Sequence, residues 1–415
     1  MNPNFKLSIN DIKITNENSL DLFYSGIKAK ATRETMDRML KSFLVDVCAD
    51  LLEGDYRQRA QQFVDIARDD QVRATSFIFA YVNKLRERTF LPKDNCNYIN
   101  PSYLPNKIKP IKKLLVMNDI GLPWSRIHAL YPERNNIHQG RGYTRLEIKR
   151  LLDYSANIET DFVILASSSG GLRVGAWNEL KWENVFPIYQ INGKYKIDLE
   201  KGEAGNTVCA GMIIYKGTTE EYTALISLEA WEKLQEYKKI WTKRMSRPPI
   251  ESDYLILERF SKPISITERA VKYRIEKLLL ESGLRTPLTE GKRRHNIPAT
   301  HGFRRFWDKV MMQTKRSKGT LSALVIKERL LGHSGLVKTD KNYFWTDTLE
   351  HVSEYLEAMP ELMITDEYRL REELKKKTME SSRLEIELKE KDVLLQRIAE
   401  LEIKVSRMQN YSIKK

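Results

Sequence analysis

AGMIIYKGTTEEYTALIS, residues 210–227, decides the fold class. Apolar and β-branched runs flank Lys216-Gly217-Thr218, so the segment predicts two short strands folded back on a turn. YKIDLEKG at 195–202 predicts another strand just before them. The periodicity around this island is helical. LEAWEKLQEYKKIW at 228–241 follows it, and helices over roughly 144–155 and 159–170 precede it. Thr144, with Glu147 three residues on, supplies the capping box that starts the first of these. The expected class is mainly α with a small β-hairpin or sheet (α+β), in a domain spanning residues 140–365.

Further upstream, ATRETMDRMLKSFLVDVCADLL (31–52) and RATSFIFAYVNKLRERT (73–89) repeat apolar residues every three to four positions. Met36, Met39, Leu40, Phe43 and Leu44 form one face; Phe77, Phe79, Val82 and Leu85 form another. LPKDNCNYINPSYLPNK at 91–107 interrupts the pattern, and 108–135 reads as one last helix before the polar stretch NNIHQGRG at 135–142. A small helical domain is therefore expected over 26–135, preceded by a loosely ordered arm, 1–25. Beyond Pro360, Leu370, Leu374, Leu384, Leu388, Leu395, Ile398, Leu401, Val405 and Met408 fall near heptad spacing, which predicts a C-terminal coiled coil over 366–410. Lys377, Ser381 and Lys391 interrupt its seam; a solvated single helix, or a helix contacting another protein, is the competing reading.

The 415 residues, 41% hydrophobic, suffice for two or three domains. Lys and Arg number 70 against 56 Asp and Glu, giving a formal charge of +14 and a pI near 9.4. That balance suits a polyanionic partner such as DNA or an acidic membrane surface, although interleaved charges of both signs also decorate ordinary solvated helices. Cys48, Cys96 and Cys209 form neither a CxxC pair nor an even framework, so disulfides and structural zinc are not expected, and a reducing intracellular setting is. The start MNPNFKLSIND lacks a signal-peptide pattern, and no run approaches the roughly 18 apolar residues of a membrane span. A soluble, cytoplasmic, nucleoid-associated protein is the expectation.

Three separated segments carry the chemistry: SSSGGLRVGAWNELKWENV (167–185), ATHGFRRFWDKV (299–310) and ERLLGHSGLVKTDKNYFW (328–345). Together they resemble the signature boxes of the tyrosine recombinase, or phage integrase, family. Arg173 follows a small-residue turn and precedes Glu179-Leu180-Lys181-Trp182-Glu183, His301 and Arg304 form the His-x-x-Arg pair, and Leu331-Gly332-His333 supplies the third box. The resemblance is strongest to archaeal and archaeal-virus integrases, whose second box also reads HGFR before aromatics and whose chains often end in a long charged helix. It covers roughly residues 26–365, the helical domain contributing only length and composition.

The resemblance implies Arg173, Lys216, His301, Arg304, His333 and Tyr343 as catalytic residues, with Tyr343 the nucleophile, one position further from His333 than is usual in the family. Tyr355 is the fallback nucleophile; Lys194, Lys196 and Lys201 compete with the hairpin Lys216; Arg305 is a DNA-backbone or structural partner. It also implies double-stranded DNA carrying attachment sites as the partner, gripped between the helical domain and the catalytic domain. Four protomers would assemble on two sites and exchange strands through a four-way junction, without metal, nucleotide or other cofactor.

The residue types suit this chemistry on their own terms. A tyrosine that attacks a phosphodiester conserves the bond energy in a phosphoester, provided the transition state's added charge is held and protons are moved. Two arginines offer planar forks to nonbridging oxygens. A hairpin lysine can protonate the departing 5′-oxygen, and either His301 or His333 can take the tyrosine proton. Three rivals remain: a type IB topoisomerase, a catalytically inactive DNA-binding protein of the same fold, and a basic coiled-coil scaffold. The first shares the tyrosine chemistry, the second predicts a missing box residue, and the third leaves the boxes to coincidence.

Overall fold

The computed structural model describes residues 18–133, 140–288, 295–316, 321–333 and 348–412. The described residues divide into two compact units, one formed by residues 18–133 and the other by residues 140–287, 295–316, 321–333 and 348–412.

The first unit is helical: α1 (Ser19–Ser25), α2 (Lys30–Lys41), α3 (Tyr56–Asp69), α4 (Gln71–Glu87), α5 (Leu104–Met117) and α6 (Trp124–Ala129), with a π-helical turn, Ser42–Val47, extending α2. Asp55 and Gln58 form a reciprocal capping box at the start of α3, and the Asp70 carboxylate caps α4. Leu40, Phe43 and Leu44 meet Phe63, Val64, Ile78, Val82 and Leu85 in the core, while Met36, Phe77 and Phe79 lie at its edge and Met39 is buried. Two expectations need correction. The arm expected to residue 25 gives way earlier, because Ser19–Ser25 is already a helix, capped by Asn18, with Leu20 and Phe23 buried. The last helix is two, since Asp119 adopts a left-handed φ of 58° and the chain then runs through Gly121-Leu122-Pro123 before α6.

The second unit packs helices around a four-stranded antiparallel sheet. Its elements are α7 (Arg145–Asp153), α8 (Ile158–Gly170), β1 (Val185–Ile191), β2 (Lys194–Lys196), β3 (Asn206–Ile214), β4 (Tyr222–Ser227) and α9 (Leu228–Met245). A small hairpin, β5 (Leu257–Arg259) and β6 (Lys262–Ser265), precedes α10 (Glu268–Glu281), α11 (His301–Arg316), α12 (Leu321–Leu330), α13 (Val352–Leu362) and α14 (Asp366–Ser412). The fold class is mainly α with a small sheet, whose strand order is β2-β1-β3-β4. Strand β1, VFPIYQI, escaped the sequence reading because Pro187 argues against a strand. It is nonetheless paired, Pro187 opposite Ala210, with a register shift between Ile188 and Tyr189. Of YKIDLEKG, only its first two residues lie within β2.

Helix α8 explains why this unit holds together. Every residue from Phe162 to Gly170 is buried, its three serines included, as the helix runs through the centre of the core against α9, α11 and β4. Where α13 passes into α14, the buried Glu229 carboxylate accepts the Ile364 and Thr365 N–H groups at 2.8 and 3.0 Å. The predicted heptad leucines of α14 from Leu370 to Leu401 stand exposed along a single helix. Among the described residues no helix is long and apolar enough to cross a membrane.

Candidate active site

Helix α8 ends at Gly171, which takes a left-handed φ of 62°. A Cβ there would lie 2.9 Å from the Trp307 ring, so glycine is required both for the turn and for the close packing. The chain then extends through buried Leu172 to Arg173, which precedes a short 3-10 turn, Val174–Trp177. Among the described residues the Arg173 guanidinium has no hydrogen bond or ion pair.

His301 opens α11 and Arg304 follows one turn later on the same face. Arg304 is only 5% exposed. Its Nη1 donates to the Gly171 carbonyl at 2.7 Å; its Nη2 donates to the Leu331 carbonyl at 2.6 Å and lies 3.0 Å from His333 Nε2. One buried fork therefore ties together the ends of α8 and α12, joining residues from all three sequence boxes. Burial, then the nearby Arg173 charge, lower the Arg304 pKa from its ordinary value. Burial also lowers that of His301, helped by the charges of Arg305, Arg304 and Arg173, which favours the neutral, proton-accepting imidazole. The Tyr222 hydroxyl is buried beside Arg304 without a well-formed hydrogen bond among the described residues. Burial raises its pKa, while Arg304 and Arg173 oppose the shift.

His333 follows α12 through Gly332, whose φ is 63°. A Cβ at Gly332 would sit 2.4 Å from the Tyr222 ring. The His333 N–H reaches back to the Glu328 carbonyl at 3.0 Å, the backbone pattern of a left-handed helix end. The side chains of the same two residues also meet, His333 Nδ1 lying 2.6 Å from Glu328 Oε2. Glu328 in turn contacts buried Lys327 at 3.2 Å, and Lys327 pairs with Asp308 at 2.8 Å.

Lys216 lies at the expected turn, between Tyr215 (φ 56°) and Gly217 (φ 76°), but its ammonium is held by Glu183 at 2.9 Å in an exposed ion pair. The adjacent Tyr215 hydroxyl faces Gly175 beside Arg173, which puts the hairpin at the edge of the arginine cluster. Of the competing lysines, Lys196 is paired with Glu203 at 2.6 Å. Arg305 donates to the Gly140 carbonyl at 2.5 Å, a fastening role. Tyr343 lies outside the described residues. Tyr355, the fallback nucleophile, is fully buried and donates to the Ser169 carbonyl at 3.0 Å, and burial raises its pKa well above the ordinary tyrosine value. It is a core residue.

The chain is similar to solved recombinases and integrases. The XerA recombinase structure aligns at 16% identity over 77% of this chain and 96% of that one, with a TM-score of 0.32. XerH, a site-specific recombinase bound to palindromic difH substrate in a post-cleavage complex, aligns at 15% identity over 79% and 97%, with a TM-score of 0.39. A lambda integrase dimer bound to a COC′ core site aligns at 13% identity over 76% and 98%, with a TM-score of 0.41. No family model and no curated protein matches the chain.

Among the described residues no group of three or more His, Cys, Asp or Glu side chains is arranged to hold a metal ion. The described cluster brings together two guanidiniums and two imidazoles, with a hairpin lysine at its edge. Glu328 and Tyr222 were not singled out from the sequence. A signal for Glu328 existed, since an acid five residues before a Gly-His helix end lands beside the histidine.

Proposed function

We propose that this protein is a tyrosine recombinase that cuts and rejoins double-stranded DNA through a 3′-phosphotyrosine, without metal or ATP, to integrate or excise a mobile element. The observation that carries the reading is Arg304. Its buried fork brings Gly171, Leu331 and His333 to one place, with Arg173 and His301 beside it. Three sequence segments more than a hundred residues apart at their extremes thus contribute residues to one cluster around Arg304.

In this reading Arg173 and Arg304 hold the nonbridging oxygens of the scissile phosphate and offset the charge added in the transition state. The Tyr343 oxygen attacks phosphorus, the P–O5′ bond breaks, and the tyrosine proton passes to His301 or His333. Neutral His301 suits that task. Lys216 leaves its exposed pairing with Glu183 and protonates the 5′-oxygen; such a surface pair is weak and readily exchanged. Attack by a different 5′-hydroxyl reverses the steps and joins new strands. The helical first unit adds phosphate contacts that make binding salt-sensitive. Four protomers act on paired attachment sites, and α14 assists their assembly as a coiled coil.

The test uses the full chain, without metal or nucleotide, on a nicked suicide substrate carrying the element's own attachment site. A denaturant-resistant adduct that disappears in Tyr343→Phe is expected. An adduct that survives moves the nucleophile to another tyrosine, and no adduct on verified cognate DNA defeats the enzymatic reading. Relaxation of supercoils without joining of two sites favours the topoisomerase alternative.

A further inference from the structure

We propose that Glu328 is a positioning residue that fixes the tautomer and orientation of His333, so that Nε2 is the unprotonated, proton-accepting ring nitrogen on the side of Arg304. This rests on the recombinase reading for its catalytic consequence but not for its structural one.

The argument begins with the helix end. Gly332 in the left-handed conformation folds His333 back over the last turn of α12, so its N–H bonds to the Glu328 carbonyl and its ring meets the Glu328 carboxylate. A carboxylate only accepts hydrogen bonds, so the ring proton belongs on Nδ1. Arg304 only donates, so Nε2 must accept. Both neighbours demand the same tautomer, and neither tolerates the other one.

The carboxylate is itself held. Its second oxygen, Oε1, lies 3.2 Å from the Lys327 ammonium, which Asp308 on α11 anchors at 2.8 Å. Asp308, Lys327, Glu328, His333 and Arg304 thus form a closed chain of alternating acceptors and donors between α11 and the end of α12. A second group that orients an imidazole, leaving its far nitrogen for chemistry, is the general means by which histidine is made directional.

The chain predicts the effect of an isosteric change. In Glu328→Gln the single amide oxygen is drawn to the Lys327 ammonium, which turns the NH2 group toward His333 Nδ1. The ring must then carry its proton on Nε2, against the Arg304 N–H. The measurement is nitrogen-15 NMR of histidine-labelled full-length protein, without DNA, with His333 assigned by its disappearance in His333→Asn. Wild type is expected to show the Nδ1–H form and Glu328→Gln the Nε2–H form. On the nicked substrate, below the melting transition of each variant, Glu328→Gln and Glu328→Ala are expected to cleave at least tenfold more slowly than wild type at unchanged DNA affinity.

A wild-type His333 protonated on Nε2, or a tautomer that Glu328→Gln leaves unchanged, overturns the proposal, as does cleavage within twofold of wild type in both variants. If wild type forms no adduct, the recombinase reading fails, and the tautomer measurement alone decides the role of Glu328.

Discussion

Arg304→Lys keeps the positive charge and removes the fork, which separates what the charge does from what the geometry does. Arg304 serves two helix-end carbonyls through different nitrogens, Gly171 at 2.7 Å and Leu331 at 2.6 Å, and contacts His333 as well. A lysine ammonium on a thinner stem reaches one of these groups, two at most. Hydrogen bonds to a charged group contribute about 1.5–3 kcal/mol each. Losing one or two of the three therefore predicts a destabilisation of about 1.5–6 kcal/mol. For a unit of this size each kcal/mol lowers the melting temperature by roughly 2–4 °C, so a drop of about 3–24 °C is expected by calorimetry or circular dichroism. Below that transition, loss of one charge-assisted phosphate contact predicts a further fall of about 10- to 150-fold in the adduct-forming rate. The two effects are read in separate experiments on the same variant. Arg304→Lys melting where wild type melts would refute the claim that the fork joins α8 to α12. A stable variant that cleaves at the wild-type rate would remove Arg304 from the phosphate site.

Three other outcomes follow from the same geometry. Tyr355→Phe removes a buried hydroxyl from the Ser169 carbonyl and is expected to cost about 1 kcal/mol of stability while leaving the adduct intact. Loss of the adduct in a folded Tyr355→Phe would return that residue to the chemistry. Lys216→Ala should slow cleavage of ordinary DNA yet match wild type on a substrate whose leaving 5′-oxygen is replaced by sulfur, since a thiolate departs without an acid; equal defects on both substrates exclude Lys216 as the proton donor. The His301 pKa is lowered by burial and by three arginines, and the base must be unprotonated to act. The cleavage rate should therefore fall on the acid side only once pH drops below the ordinary histidine range, and His301→Asn should flatten that limb; an acid limb unchanged in His301→Asn assigns it to another group.

How much of this was legible in the sequence depends on whether the information is local. The hairpin at Lys216 and the Thr144 capping box each rest on a few neighbouring residues, and each stands where it was read. Strand β1 was not legible because Pro187 violates the local rule, and only pairing with β3 compensates for it. The early helix α1 was missed for a related reason. Seven residues give too short a period to detect, and its stability comes from burying Leu20 and Phe23 against distant helices. Tyr355 was the reverse case: kept as the fallback although it lies much further from His333 than the family spacing allows, it is removed by its burial.

The site follows the same division, with one instructive exception. Box spacing selected Arg304 over Arg305, and in the structure Arg304 enters the cluster while Arg305 donates to the Gly140 carbonyl. What spacing did not reveal is that Arg304 spends its fork on the protein's own carbonyls. Three of its donors are already engaged before any phosphate arrives, so its contribution to anion binding rests on its remaining N–H groups and its charge. Arg173, with no hydrogen bond or ion pair among the described residues, is then the freer fork. The two arginines are therefore not equivalent: substitution of Arg304 should damage fold and chemistry together, whereas substitution of Arg173 should damage chemistry at nearly constant stability. A matched pair of melting curves for Arg173→Lys and Arg304→Lys tests that asymmetry without any DNA, and equal losses of stability would show that the division of labour is wrong.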